Sequence, residues 1–256
     1  MTESATTSVG RGRLVRWLAE IFVIALGILL AFSVDATWDR LQESEQERLT
    51  LEALVEEFQA NATSLRATAA EHDRATRASS ELLALTGPDA SDTDDVARLI
   101  GEVWVPTHAQ LNSGAIQSLL STDDLARVRN PSLRAALAGW PDRVAALVRL
   151  EVQLHEELTG ALLPAIQAAV PQIDIEFING FAGLPRLRAE FESLVEPSRF
   201  ETDLRPLLRD MKFENTILNR MTVSMITRDV TDDLATEADR ILRLLEQSLE
   251  GGSGST

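Results

Sequence analysis

The chain has 256 residues, 45% of them apolar, with 24 basic against 40 acidic side chains and a formal net charge of −16. That balance excludes disorder over most of the length, and it disfavours nucleic acid and anionic lipid surfaces as partners, because both are bound through Lys and Arg. Cysteine is absent, so disulfides, thiolate metal sites and cysteine nucleophiles are excluded.

Alanine and leucine recur while aromatic residues make up 5% with no Tyr, a composition that favours helix over sheet. The expected fold class is all-α. Residues 1–10 are small and polar and are expected to form a disordered cytoplasmic tail. Residues 11–40 read as a membrane anchor with its flanks. From Trp17 to Val34 eighteen residues carry one charge, Glu20, and as a helix they reach about 27 Å, close to the hydrocarbon thickness of a bilayer. Arg11, Arg13 and Arg16 precede this span, and Asp35, Asp39, Glu43 and Glu45 follow it. The positive-inside rule then predicts a cytoplasmic N-terminus with the bulk of the protein outside, in the periplasm if the cell is Gram-negative. Trp17 and Trp38 fall near the two interfaces, where indole rings are favoured. Glu20 lies four residues after Arg16, which suits a snorkelling ion pair or a contact to a partner's transmembrane helix. Gly27 would let another helix approach closely. The same parts also fit a cleaved signal peptide, against which Glu20 interrupts the apolar run and Asp35 sits in the would-be cleavage site.

Residues 41–250 are expected to form a helical bundle, and 251–256, Gly-Gly-Ser-Gly-Ser-Thr, a flexible tail. No Pro or Gly occurs between Gly27 and Gly87. Leu41, Leu49, Leu51, Leu54, Val55, Phe58, Ala62, Leu65, Ala69, Ala75, Leu82 and Leu85 form an apolar stripe at three- and four-residue steps, so the anchor helix is expected to run on as a stalk and then as the bundle's first helix. Gly87-Pro88 ends it. Ser91 or Asp92 can cap a helix through Val96, Leu99, Ile100 and Val103, closed by Pro106. Short helices follow from Thr107, with turns at Asn112-Ser-Gly114 and Asn130-Pro-Ser132. Pro141 reads as the first turn of a long helix carrying Val144, Leu147, Val148, Glu151, Leu154, Leu158, Leu162 and Ile166 as far as Pro171. Ile173, Ile175, Phe177, Ile178 and Phe181 are expected in a loop over the bundle's end. A last helix carries Leu207, Met211, Ile217, Leu218, Met221, Met225, Leu234, Ala238, Ile241, Leu245 and Leu249 to Glu250.

Catalytic patterns are missing. His72, His108 and His155 are isolated from one another, and no Glu-x-x-His pair or His-Glu-x-x-His occurs. His155-Glu-Glu157 and Asp92, Asp94 and Asp95 read as solvated surface. Asn112-Ser-Gly114 lacks a P-loop lysine, and Asn61-Ala-Thr63 falls inside a helix, which argues against glycosylation. Met211, Met221 and Met225 read as core filler rather than haem ligands. No cofactor or metal and no enzymatic activity is expected.

The run Arg16-Trp-Leu-Ala-Glu-Ile-Phe-Val-Ile-Ala-Leu-Gly-Ile-Leu-Leu-Ala-Phe-Ser-Val-Asp-Ala-Thr-Trp-Asp39 resembles the head of a set of uncharacterised bacterial single-span membrane proteins. Leu111-Asn-Ser-Gly114 with Asp123-Asp-Leu-Ala-Arg127 resembles their second block, although Ala19 stands where they usually carry Gly. The resemblance implies an inner-membrane protein with an extracytoplasmic helical domain and carries no function. The expected architecture is therefore a single N-terminal transmembrane helix continuous with an extracytoplasmic antiparallel helical bundle. The expected role is a non-catalytic accessory or scaffold subunit of a larger bacterial membrane complex, with an energy-converting respiratory or photosynthetic assembly as one host. Its contacts would be the membrane, other subunits and a basic periplasmic protein. An extracytoplasmic ligand-binding or sensing bundle is the alternative, and a cleft between helices with convergent arginines would favour it.

Overall fold

A computed structural model describes residues 9–91, 94–171, 189–190, 193–194, 196 and 198–253. Before residue 45 most side chains lie outside that description. The apolar cluster expected between Ile173 and Phe181, and the cap at Asp92, also fall outside it.

The described residues are helical and contain no strand. In order they form α1 (Val9–Leu83), α2 (Asp94–Trp104), α3 (Gly114–Ser121), a 3₁₀ turn (Asp123–Arg127), α4 (Pro131–Glu157), a π-turn (Leu158–Leu162), α5 (Leu163–Gln167), α6 (Arg205–Leu208) and α7 (Met211–Ser253). Two compact units divide the chain, residues 1–52 and 53–256. In the first, only α1 is described. Its exposed Arg48 bridges Glu45 and Glu52, each at 2.6 Å, at helical i,i+3 and i,i+4 spacings whose contribution solvent screens heavily. Among the described residues no helix is long and apolar enough to cross a membrane. The span expected at Trp17–Val34 lies largely outside them, because most of its side chains are not described.

The second unit is a bundle of the latter part of α1 with α4 and α7. Its stripes repeat at steps of three, four or seven residues: Leu54, Phe58, Ala62, Leu65 and Ala69 on α1; Leu133, Leu137, Trp140, Leu147 and Leu154 on α4; Leu234, Ala238, Ile241 and Leu245 on α7. All are buried, and full burial of each large side chain contributes about 1.5–3 kcal/mol. Leu82 of α1, Val96, Leu99 and Val103 of α2, Leu154 and Leu158, Leu207 and Leu208, and Phe213 and Ile217 close one end of the unit as a single apolar cluster.

Contacts fix the directions. Phe58 meets Trp140 with ring centroids 4.8 Å apart, whereas Leu82 shares the end cluster with Leu154 and Leu158, so α1 and α4 run parallel. Arg66 pairs with Asp239 and Asp73 with Arg228 at 3.4 Å, so α7 runs antiparallel to α1. The expected antiparallel arrangement therefore holds for α7 only. Two parallel helices need a return connection, and α2, α3 and the segment between them supply it.

Several boundaries differ from expectation. Helix α4 starts at Pro131, not Pro141, because Asn130 caps it by accepting from Ser132 N (3.0 Å) and Leu133 N (3.3 Å). Pro141 lies inside the helix next to buried Trp140. Helix α7 continues to Ser253, through the first residues of the expected flexible tail. Gly87 does end the first helical run: its φ of +138° is a backbone conformation that side-chain-bearing residues avoid, and its N–H donates to Leu208 O at 3.0 Å. Two of the three stripe methionines are not core, since Met211 is 75% and Met225 41% exposed, while Met221 is half-buried.

Truncating Trp140 to Ala is expected to cost about 3–5 kcal/mol through the cavity it leaves. Asn130→Ala should cost only about 1 kcal/mol, the worth of one cap. Urea unfolding followed by circular dichroism measures both, and equal costs would mean that Trp140 is not a core anchor.

Candidate functional site

The connection from α2 to α3, Val105–Ser113, has no regular secondary structure. Fifteen helix steps separate Glu57 from His72 on α1, about 22 Å along the axis. Nine residues wound as a helix would cover only about 14 Å, while extended they reach about 30 Å. Extension leaves the backbone without a ladder, and side chains from three helices take its place. Arg220 of α7 donates from Nε to Val103 O (3.0 Å) and from Nη2 to Val105 O (3.3 Å), serving two carbonyls at the C-terminal end of α2. Glu151 of α4 accepts from Ala109 N (2.7 Å). Ser64, Asn61 and Glu57 lie on one face of α1. Ser64 Oγ accepts from Gln110 N (3.2 Å), and Asn61 both accepts from Asn112 N (2.7 Å) and donates to Asn112 O (2.8 Å). Glu57 accepts from Ala115 N (2.7 Å) and Ile116 N (3.2 Å), which places a carboxylate on the N-terminus of α3. Asn61 is fully buried, which agrees with the reading that Asn61-Ala-Thr63 is not glycosylated.

Above the clamp, α1 and α7 face each other through polar residues. Ser79, Ser224, Thr227 and Thr231 are buried, and each hydroxyl donates to the carbonyl four residues earlier. His72 is the exception. It is fully buried, and neither ring nitrogen has a hydrogen-bond partner among the described residues. Burial, and then the positive charge of Arg220, push its pKa down to about 4, so it is neutral near pH 7. Arg220, 2% exposed, is pushed down to about 10 by burial, against the opposing pull of Glu157, and stays charged.

Two clefts adjoin this region and share Leu158. The larger, about 350 Å³, is lined on α7 by Lys212, Asn215, Thr216, Asn219 and Arg220, and opposite by Glu157, Leu158, Ala161 and Leu162. The α7 residues recur at one-turn spacing and share a face. The opposite wall is made by the π-turn, and its cause is local. Pro164 lacks the N–H that would bond to the carbonyl of Gly160, and its ring would clash there. The helix widens at Leu158–Leu162 just before it, which re-aims the lining side chains. Glu157 Oε1 accepts from Gln153 at 3.5 Å, but its buried Oε2 has no hydrogen-bond partner among the described residues. The smaller cleft, about 240 Å³, runs along Pro106, Thr107 and His108 against Val148, Glu151, Val152 and His155. Burial raises the Glu151 pKa, opposed by the Ala109 N–H and by His108.

Glu157 is thus not the solvated surface group expected of it; His72 was read only as an isolated histidine, and Arg220 was not singled out. Among the described residues no group of three or more His, Cys, Asp or Glu could hold a metal ion. Of the residues expected to contact membrane or partner, the side chains of Arg11, Arg13 and Arg16 lie outside the described residues. Trp17 and Trp38 are 70% and 69% exposed, Glu20 is exposed, and a Cβ at Gly27 would meet no atom within 4 Å. No protein-family model, curated protein or solved structure matches the chain.

Two outcomes are expected in unfolding measurements. Asn61→Ala removes both hydrogen bonds to Asn112 and should cost about 1–3 kcal/mol, since each such bond contributes about 0.5–1.5 net. For His72 the folded pKa lies below the unfolded one, so its contribution is present above about pH 6.5 and is lost as pH falls toward 4. The loss is on the order of 3 kcal/mol. His72→Leu should flatten that part of the pH–stability curve relative to wild type, and an unchanged slope would contradict a neutral buried imidazole.

Proposed function

We propose that the chain is a single-span inner-membrane protein with a cytoplasmic N-terminus. Its extracytoplasmic helical bundle acts as a non-catalytic accessory subunit of a larger membrane complex. The observation that carries this reading is the apolar run from Trp17 to Val34, with arginines before it and carboxylates after it. Its described large side chains support the reading: Phe22, Leu26, Leu29 and Leu30 are 48–66% exposed on α1. Leaving such side chains in water forgoes about 1.5–3 kcal/mol each, which lipid or a partner's helix would recover. A body of net charge −17 over residues 35–256 suits a basic partner, as in respiratory or photosynthetic assemblies.

A second reading is favoured by one specific observation. A cleft lined by Arg220, Lys212 and a sparsely hydrogen-bonded Glu157 is what a ligand-binding bundle requires. The two readings are compatible, since an accessory subunit can carry a ligand.

In the native membrane the protein is expected to resist alkaline extraction, and a C-terminal alkaline phosphatase fusion should be active. Release into the wash would remove the span. Gly27→Leu should leave the helical content unchanged yet detach the partner in crosslinking mass spectrometry after mild solubilisation. Recovery of both proteins as lone monomers would remove the accessory role.

A further inference from the structure

We propose that the cleft between α7 and the π-turn binds a small aminocarboxylate, a free α-amino acid, with its ammonium on Glu157 and its carboxylate toward Arg220 and Lys212. The inference rests on the ligand-binding reading given above and adds the chemical class of the ligand.

The walls state two opposite demands. Glu157 lines a cavity of about 350 Å³; its Oε1 accepts one long bond, from Gln153 at 3.5 Å, and its buried Oε2 has no hydrogen-bond partner among the described residues. A carboxyl group so sparsely partnered calls for an N–H or O–H donor from the cleft side. Facing it are two cations. Arg220 commits donors to Val103 O, Val105 O and Ser224 Oγ, and three of its five N–H groups are thereby used. Lys212, the single lysine of the chain, stands exposed on the same α7 face. These two call for an anion.

One-sided ligands fail against this pattern. A simple amine meets Glu157 but is repelled by Arg220 and Lys212. Phosphate or a bare carboxylate meets the two cations but leaves Glu157 without a donor and adds like charge beside it. A divalent metal would find one carboxylate and two positive neighbours. A molecule carrying an ammonium and a carboxylate meets both demands at once, and Asn215, Thr216 and Asn219 supply further polar groups between them. Leu158, Ala161 and Leu162 leave an apolar wall for its side chain. The cavity lies at the small end of ligand pockets, about 300–1,000 Å³, which suits a single amino acid better than a nucleotide.

The test is titration calorimetry on the full chain in mild detergent. The twenty proteinogenic amino acids are titrated singly, beside propionate and ethylammonium as half-ligands. At least one amino acid is expected to bind ten times or more tighter than either half-ligand. Glu157→Gln should weaken that binding tenfold or more. Lys212→Ala, an exposed change that leaves the fold intact by circular dichroism, should weaken it several-fold. Two results overturn the proposal: no amino acid binds at millimolar concentration, or binding is the same in both variants. Binding of propionate or ethylammonium alone would overturn the aminocarboxylate while leaving the ligand-binding reading in place. Silence from every probe removes both.

Discussion

The bundle depends on a backbone segment that has no ladder of its own. Parallel α1 and α4 force the chain to return along the bundle, and Val105–Ser113 does so extended, against the flank of the helices. Much of the segment is exposed, but where it faces the helices its backbone polar groups need partners, because a buried N–H or C=O left without one costs about 1–3 kcal/mol. Glu57, Asn61 and Ser64 from α1, Glu151 from α4 and Arg220 from α7 provide them. Each is a side chain from a long helix that would otherwise be solvent-facing or apolar. The strap therefore ties three helices together through charge and hydrogen bonding, where a hairpin bundle would rely on apolar packing alone.

That arrangement also explains the cleft. Arg220 is drawn inward to serve Val103 and Val105, so a guanidinium is buried at the α2 end of the strap. A buried cation needs compensating charge nearby, and Glu157 supplies it across the cleft. The π-turn produced by Gly160 and Pro164 opens the wall on which Glu157 sits. His72 completes the region as a neutral, desolvated imidazole beside Arg220. Strap, charge and widened helix thus belong to one construction, and the candidate site is where they meet.

Much of the bundle was legible in the sequence, because apolar periodicity is a local signal. The stripes through Leu54, Phe58, Ala62 and Leu65, and through Leu147, Leu154, Leu158 and Leu162, are buried as read. Proline misled where two candidates competed. Pro141 looked like a helix start, yet Asn130-Pro131 carries the cap and Pro141 is absorbed into the helix. The methionine stripe failed because period alone does not say which face is covered. The clamp was illegible for a different reason. Glu57 and Asn61 resemble ordinary polar residues flanking an apolar stripe, and their partners lie 51 to 59 residues away in the chain. The electrostatic attraction between Glu157 and Arg220 is equally non-local. Only Gly160 with Pro164, at the i−4 clash spacing, was a readable sign of the π-turn.

The most direct measurement of the central claim is native-state amide hydrogen exchange at Ala109, Gln110, Asn112, Ala115 and Ile116. These N–H groups are held by side chains of α1 and α4, with no regular secondary structure at the first three. Protection approaching that of the core helices is predicted, because opening them requires breaking the clamp across the bundle. Exchange at the rate of an open surface loop would contradict it.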